Sequence, residues 1–132
     1  MNTKLILTAS ALFLGSAGLA LTFIPAEILG YFKIEATKLL QLFLQIGGAL
    51  YFSFALLNWM SKANIIGGIY NRPIAVANFT HFFIAGLALI KALISNPDLM
   101  YGIWAIGILY TAFAISFGVI LFTHQLSEPP KN

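Results

Sequence analysis

The stretch LLQLFLQIGGALYFSFALLNWM, from Leu39 to Met60, contains neither a charged residue nor a proline. An α-helix needs about 20 consecutive apolar residues to cross the hydrocarbon core of a bilayer. Inside that core every backbone N–H and C=O must bond within the chain, so a segment of this kind folds as a helix. The stretch therefore predicts a membrane-spanning helix over residues 39–60.

Three further stretches of the chain share this apolar character, and they predict helices over 5–24, 73–92 and 99–122. Only 8% of the residues are charged and 60% are hydrophobic, which leaves too little charge to cover a soluble domain. Short connections make consecutive helices antiparallel neighbours. We therefore predict an all-α fold, a polytopic membrane protein that forms an antiparallel up-down four-transmembrane-helix bundle. It is expected to be one domain over 1–132, with a polar tail over 125–132.

The first helix has a second interpretation. Lys4, the apolar run that follows it and the small residues Gly18 to Ala20 are also the pattern of a signal peptide with its cleavage site. The apolar run continues to Ile24, and removal would leave an odd number of helices. We therefore predict that the first helix is retained.

The basic residues lie at the predicted helix ends, which is typical of membrane-interface anchors. One predicted side has Lys4, Lys62, Arg72 and Lys131, and the other has Lys33, Lys38 and Lys91. Counting them by the positive-inside rule favours cytoplasmic termini by a single residue. We expect a multi-pass protein of the bacterial inner membrane.

Composition and motifs exclude several classes of function. The chain has no cysteine, so thiolate metal sites and disulfides are excluded. Its basic residues form no stripe, so a nucleic-acid partner is not expected. No nucleophile elbow, metalloprotease motif or phosphate-binding loop occurs, and no carboxylate lies within a predicted helix core. We therefore predict no catalytic residue and no cofactor. A metal site is not expected either, since His124 lies well above His81, the other histidine.

Polar residues inside the predicted helices are the candidate site. By helical rise, His81 lies roughly 12 Å below the face that holds the termini. Tyr51 and Tyr110 fall at similar depth, and Asn58 and Asn78 lie nearer that face. Groups of this kind should turn inward and bond one another, because each costs several kcal/mol unpaired in hydrocarbon. We interpret the layer first as a structural clasp, with a ligand pocket or a proton relay as alternatives.

Arg72 is the remaining candidate binding residue. It directly precedes the third predicted helix, where the helix dipole is positive and a cation gains nothing from it. Another partner is therefore expected: a lipid phosphate, a loop carbonyl, or the carboxylate or phosphate of a ligand, any of which suits the guanidinium fork.

Small residues recur at the spacing that allows helices to approach closely. The pairs are Ala11 and Gly15, Ala85 and Ala88, Gly107 and Thr111, and Ala114 and Gly118. We interpret them as packing surfaces. Gly47 and Gly48 predict either a close contact or a hinge, and Gln41 and Gln45 predict an interhelical clasp.

The segments LFLGSAGLALTFIP (residues 12–25) and LQIGGALYFSFALLNWM (residues 44–60), set in four short helices, resemble the small bacterial DoxX-like four-helix membrane proteins. The resemblance covers the layout of most of the chain and implies a fold more than an activity. Small multidrug transporters share the size but have a glutamate in the first helix, which residues 5–24 lack. RPIAVANFTHF (residues 72–82) echoes the arginine and asparagine of the glutathione and eicosanoid membrane enzymes, without their glutamate.

From these features we expect a non-enzymatic accessory or ligand- and lipid-binding module, whose polar layer lies between the second, third and fourth predicted helices. A small transporter or channel formed by oligomers is the alternative, and an intramembrane enzyme is the third. The expected partners are membrane lipid and either a second copy of the chain or another membrane protein.

Overall fold

The computed structural model describes residues 2–63 and 72–123. These residues form five helices: α1 (Thr3–Phe23), α2 (Pro25–Tyr31), α3 (Lys38–Ser61), α4 (Arg72–Ser95) and α5 (Tyr101–Thr123). The prediction of an all-α fold is confirmed, and the four long helices begin and end within three residues of the predicted bounds. All four are long and apolar enough to cross a membrane, judged by length and composition. The predicted polar tail and His124 lie outside the described residues.

Helix α2 was not predicted from the sequence, in which Pro25 directly follows the predicted helix over 5–24. Proline favours the first turn of a helix because its missing N–H has no partner to lose there, and Pro25 indeed opens α2. The helix ends where Lys33 adopts a positive φ of 57°. The Ile34 and Lys33 amides then donate back to the carbonyls of Leu29 and Gly30 at 2.9 and 3.0 Å, a Schellman motif in which lysine replaces the usual glycine.

Contacts divide the chain into two compact units. The α1–α3 unit runs from Leu7 to Lys62, and the α4–α5 unit contains α4 and α5 together with the start of α1 up to Ile6. The predictions of a single domain and of an up-down bundle in a bilayer stay predictions.

Helices α1 and α3 cross with their backbones in contact. A Cβ atom on Gly18 would lie 2.7 Å from the Phe52 amide nitrogen, and one on Gly48 would lie 2.7 Å from the Gly18 carbonyl oxygen. Gln45 donates from Nε2 to the Thr22 carbonyl at 3.3 Å, which is the clasp predicted for that glutamine. Gly48 is therefore a close contact, whereas a Cβ on Gly47 would meet nothing within 4 Å.

Helices α4 and α5 pack around Phe82, which is fully buried. Its ring lies 4.8 Å from the Phe113 ring, 5.2 Å from the Tyr110 ring and 5.8 Å from the Phe117 ring, measured between centroids. A Cβ on Gly107 would lie 2.9 Å from Leu93 Cδ1, so the predicted small-residue position on α5 is a packing contact. The two helices run antiparallel, since Gly107 of α5 lies near Leu93 and Gly118 lies near Phe79, and the turn before Tyr101 joins them.

Several hydroxyl groups on the long helices donate a hydrogen bond within their own helix. The donors and their acceptor carbonyls are Ser16 to Phe13, Thr22 to Gly18, Ser53 to Ala49, Ser61 to Leu57, Thr111 to Gly107, Ser116 to Ala112 and Thr123 to Val119. Each hydroxyl is thereby satisfied without a second helix.

Candidate functional site

His81 and Tyr110 are brought together between α4 and α5. The Tyr110 Oη lies 3.4 Å from His81 Nε2, and the two ring centroids are 5.6 Å apart. Tyr110 is buried and His81 is half-buried. Which group donates depends on the histidine tautomer, so the pair can act as an interhelical hydrogen bond in either direction.

Asn78 bonds within its own helix. It is fully buried, and its Nδ2 donates to the Ile74 carbonyl at 2.9 Å. This bond gives one donor of the amide a partner inside α4.

Asn58 has a partner that the sequence analysis did not identify. Its Nδ2 donates to Ser10 Oγ on α1 at 3.0 Å, and that hydroxyl donates in turn to the Leu7 carbonyl at 3.0 Å. Asn58 and Ser10 are both fully buried. The relay joins α1 to α3 and uses the donor and an acceptor position of the one hydroxyl.

The remaining candidates are Tyr51 and Arg72. Tyr51 is half-buried on α3, in the same unit as Asn58, and Arg72 is the exposed first residue of α4. His81, Asn78, Tyr110 and Arg72 thus belong to the α4–α5 unit. A polar layer shared by both units stays a prediction.

The relay between Asn58 and Ser10 leads to a testable prediction. We expect Ser10→Ala and Asn58→Ala each to destabilise the protein, because either change leaves a buried polar group without this bond. In a double-mutant cycle the coupling energy should be about 1 kcal/mol. Unfolding in mixed micelles measures it.

Ser53→Ala provides the matched control for this cycle. Ser53 is exposed and its hydroxyl donates to the Ala49 carbonyl of its own helix. The change should therefore be nearly neutral and show no coupling to Asn58→Ala. Equal coupling at Ser10 and Ser53 would contradict the relay.

A groove of about 460 Å³ lies between α4 and α5. Its floor is made by Phe82 and by the small residues Gly86, Ala114 and Gly118, and it is open along one side. The rest of the lining is Phe79, Phe83, Leu87, Ile90, Thr111, Ile115, Val119, Phe122 and Thr123.

The groove walls are apolar and aromatic. The rings of Phe79 and Phe83 stack at 5.2 Å between centroids, and Phe122 meets Phe79 edge-on at 6.1 Å. The two threonine hydroxyls in the lining are turned back, because Thr111 donates to the Gly107 carbonyl and Thr123 to the Val119 carbonyl. The lining therefore offers no charge and little hydrogen bonding, and it suits an apolar chain.

The sequence analysis missed this groove. Phe79, Phe83, Gly86 and Ile90 recur at the three- and four-residue spacing of one helix face, which was the available signal. That spacing also fits ordinary packing, so it does not reveal a groove until the facing helix is known. Gly118, which the sequence assigned to packing, allows the Phe79 ring to lie close to α5, since a Cβ there would be 3.2 Å from Phe79 Cε2.

In the part of the chain that the structure describes, no group of three or more histidine, cysteine, aspartate or glutamate side chains could hold a metal ion. The prediction that no cofactor is bound stays a prediction. Comparison with protein-family models, with curated proteins and with solved structures finds no match to this chain. The resemblance to DoxX-like proteins therefore stays a prediction as well.

Proposed function

We propose that this chain is a non-enzymatic integral membrane protein that binds one apolar chain, of the kind found in a lipid, in the groove between α4 and α5. The observation that carries the proposal is the groove itself, an uncharged space of about 460 Å³ bordered by phenylalanines. The described chain has four helices of membrane-spanning length and composition, and α4 and α5 are two of them. In a bilayer such a groove would be filled by hydrocarbon, since leaving it empty forfeits dispersion contacts on its walls.

The groove is a better binding site than the polar residues, because those residues are already engaged. Asn58 bonds Ser10, Asn78 bonds the Ile74 carbonyl, and His81 lies against Tyr110. Across residues 2–63 and 72–123, no buried side-chain nitrogen or oxygen is without a hydrogen-bond partner. These contacts support the structural interpretation of the polar layer.

The wider setting belongs to the same proposal. We place the protein in the bacterial inner membrane as a multi-pass protein with cytoplasmic termini, with lipid as its partner and a second copy or another membrane protein as an additional one. The transporter or channel and the intramembrane enzyme are the alternatives. Both would use the His81 layer rather than the groove, which makes them separable by experiment.

Photolabelling tests the groove. The probe is phosphatidylcholine with a diazirine in the middle of one acyl chain, in vesicles that contain the full-length protein. We expect labels to concentrate on groove residues such as Phe83 and Ile115. Ala114→Trp should reduce that labelling about tenfold, because the indole replaces the hydrocarbon in the groove.

Three comparisons make the labelling result decisive. Ala112→Trp makes the same change on an exposed position of α5 outside the groove and should leave labelling unchanged. Val119→Trp fills the groove from an exposed wall position and should act like Ala114→Trp even if the latter folds poorly. Labels spread evenly over exposed residues such as Leu42 and Leu50 of α3, with no effect of either groove variant, would contradict the proposal.

A further inference from the structure

The groove in the α4–α5 unit has a direction, set by the position of Arg72. Its α4 lining residues centre on one stripe of the helix, and Arg72 lies on that stripe two turns before Phe79 and four turns before Gly86. Lys91, at the other end, lies about a third of a turn away from the stripe. Of the two basic residues of α4, Arg72 is therefore the one aligned with the groove.

Distances along α4 match an amphiphile. From Phe79 to Ile90 the groove extends about 16 Å, and Arg72 lies about 10 Å beyond Phe79 by helical rise. The Cα–Cβ bonds of a helix tilt toward its N-terminus, so the Arg72 side chain leaves the backbone in the direction away from the groove. An acyl chain in the groove and a headgroup at Arg72 would then be separated by about the length of the segment that joins them in a lipid.

The charges near the two ends differ. Arg72 is exposed at the start of α4, where the positive end of the helix dipole adds to its charge and favours an anion. Asp98 follows the other end of α4, beyond Lys91. Among the described residues 72–123, Asp98 is the only residue with a carboxylate, and it lies at the opposite end of α4 from Arg72. An anionic headgroup is therefore favoured at the Arg72 end.

We infer that the groove selects a lipid with a negatively charged headgroup, oriented with one acyl chain between α4 and α5 and its phosphate on the Arg72 guanidinium. This inference rests on the proposed function and adds the class and orientation of the ligand. Val76, which is exposed between Arg72 and Phe79 on the same stripe, would lie along the linker of the lipid. The bound species is a membrane lipid and not free phosphate, because the chain in the groove supplies the apolar contacts.

The test compares two diazirine lipids that differ only in the headgroup, phosphatidylglycerol and phosphatidylcholine, in competition within one vesicle population. We expect the wild-type groove to be labelled about fivefold more by the anionic lipid, the preference that one interfacial arginine provides. Arg72→Gln should remove the preference, and labelling by phosphatidylcholine should fall less than labelling by phosphatidylglycerol, because the choline cation offsets the charge of its phosphate. Arg72→Lys should retain most of it.

Lys91→Gln is the matched control, since it removes a cation from the opposite end of the same helix, and it should retain the preference. Millimolar inorganic phosphate should not displace the anionic lipid; displacement would contradict a lipid ligand. Equal labelling by both lipids in the wild-type groove, or equal losses in Arg72→Gln and Lys91→Gln, would overturn this inference and leave the groove intact as a site. Failure of both lipids to label the groove would instead overturn the proposed function.

Discussion

Gly48→Leu is expected to separate α1 from α3. Even a methyl group on Gly48 would lie 2.5 Å from Thr22 Oγ1 and 2.7 Å from the Gly18 carbonyl. The second atom is backbone, so no rotamer change can relieve the overlap, and the helices must move apart. We expect a loss of about 3 kcal/mol, the upper part of the range for overpacking in a core.

The measurement uses a cysteine pair in a chain that has no cysteine of its own. A Cβ on Gly15 would lie 3.4 Å from Ala55 Cβ, close to the separation that a disulfide requires. The double variant Gly15→Cys with Ala55→Cys should therefore crosslink readily under mild oxidation. Adding Gly48→Leu should abolish most of this crosslink.

Gly47→Leu is the control for that experiment. Gly47 is adjacent in sequence, yet a Cβ there would meet nothing within 4 Å. Both variants lose a helical glycine and gain the same side chain, so they differ only in the contact with α1. Equal crosslinking in the two variants would show that the close approach of Gly18 and Gly48 does not hold the helices together.

Phe82→Ala is expected to be the most damaging truncation in the α4–α5 unit. Its ring is fully buried and meets the rings of Tyr110, Phe113 and Phe117. In water-soluble cores the loss is about 3–5 kcal/mol, which combines transfer and cavity contributions. Between helices in lipid the transfer contribution largely disappears, so we expect about 2 kcal/mol from lost packing alone.

Phe83→Ala removes the same ring one position along the helix, where the side chain is exposed. Its stacking partner is Phe79, and lipid can occupy the vacated space. We expect a loss below about 1 kcal/mol. Free energies of unfolding from titration with a denaturing detergent measure both variants, and a loss at Phe83 as large as that at Phe82 would show that the stacked rings do not hold α4 to α5.

The four long helices were predictable because the distribution of charge bounds each of them. Uninterrupted apolar segments leave a chain one way to satisfy its backbone, so the predicted helix over 39–60 differs from α3 by a single residue at each end. The same reasoning did not predict α2. Pro25 marks both the end of one apolar run and the first turn of a new helix, and the sequence does not separate these roles until Lys33 is seen to close the turn.

Helical depth predicts which polar side chains lie at the same level, but it does not predict every hydrogen-bond partner. Helical depth placed His81 and Tyr110 together, and the structure brings them within 3.4 Å. Depth alone did not find Ser10, because a serine in a helix usually bonds its own backbone and carries no sign of a second partner. The groove was missed for a related reason: its volume depends on which residues of α5 face Gly86, and that register is a property of two helices.

The hydroxyl groups that donate to carbonyls of their own helix affect how the chain could be inserted into a membrane. Thr111, Ser116 and Thr123 have their hydrogen bonds as soon as α5 has formed, so under the proposed membrane location this helix could enter the bilayer before it packs against another helix. Groups such as Asn58, which reaches Ser10 on another helix, acquire this bond only after lateral assembly. Under the proposed membrane location, insertion and helix docking are separate steps, and we expect changes at Gly48 or Asn58 to affect the second of them.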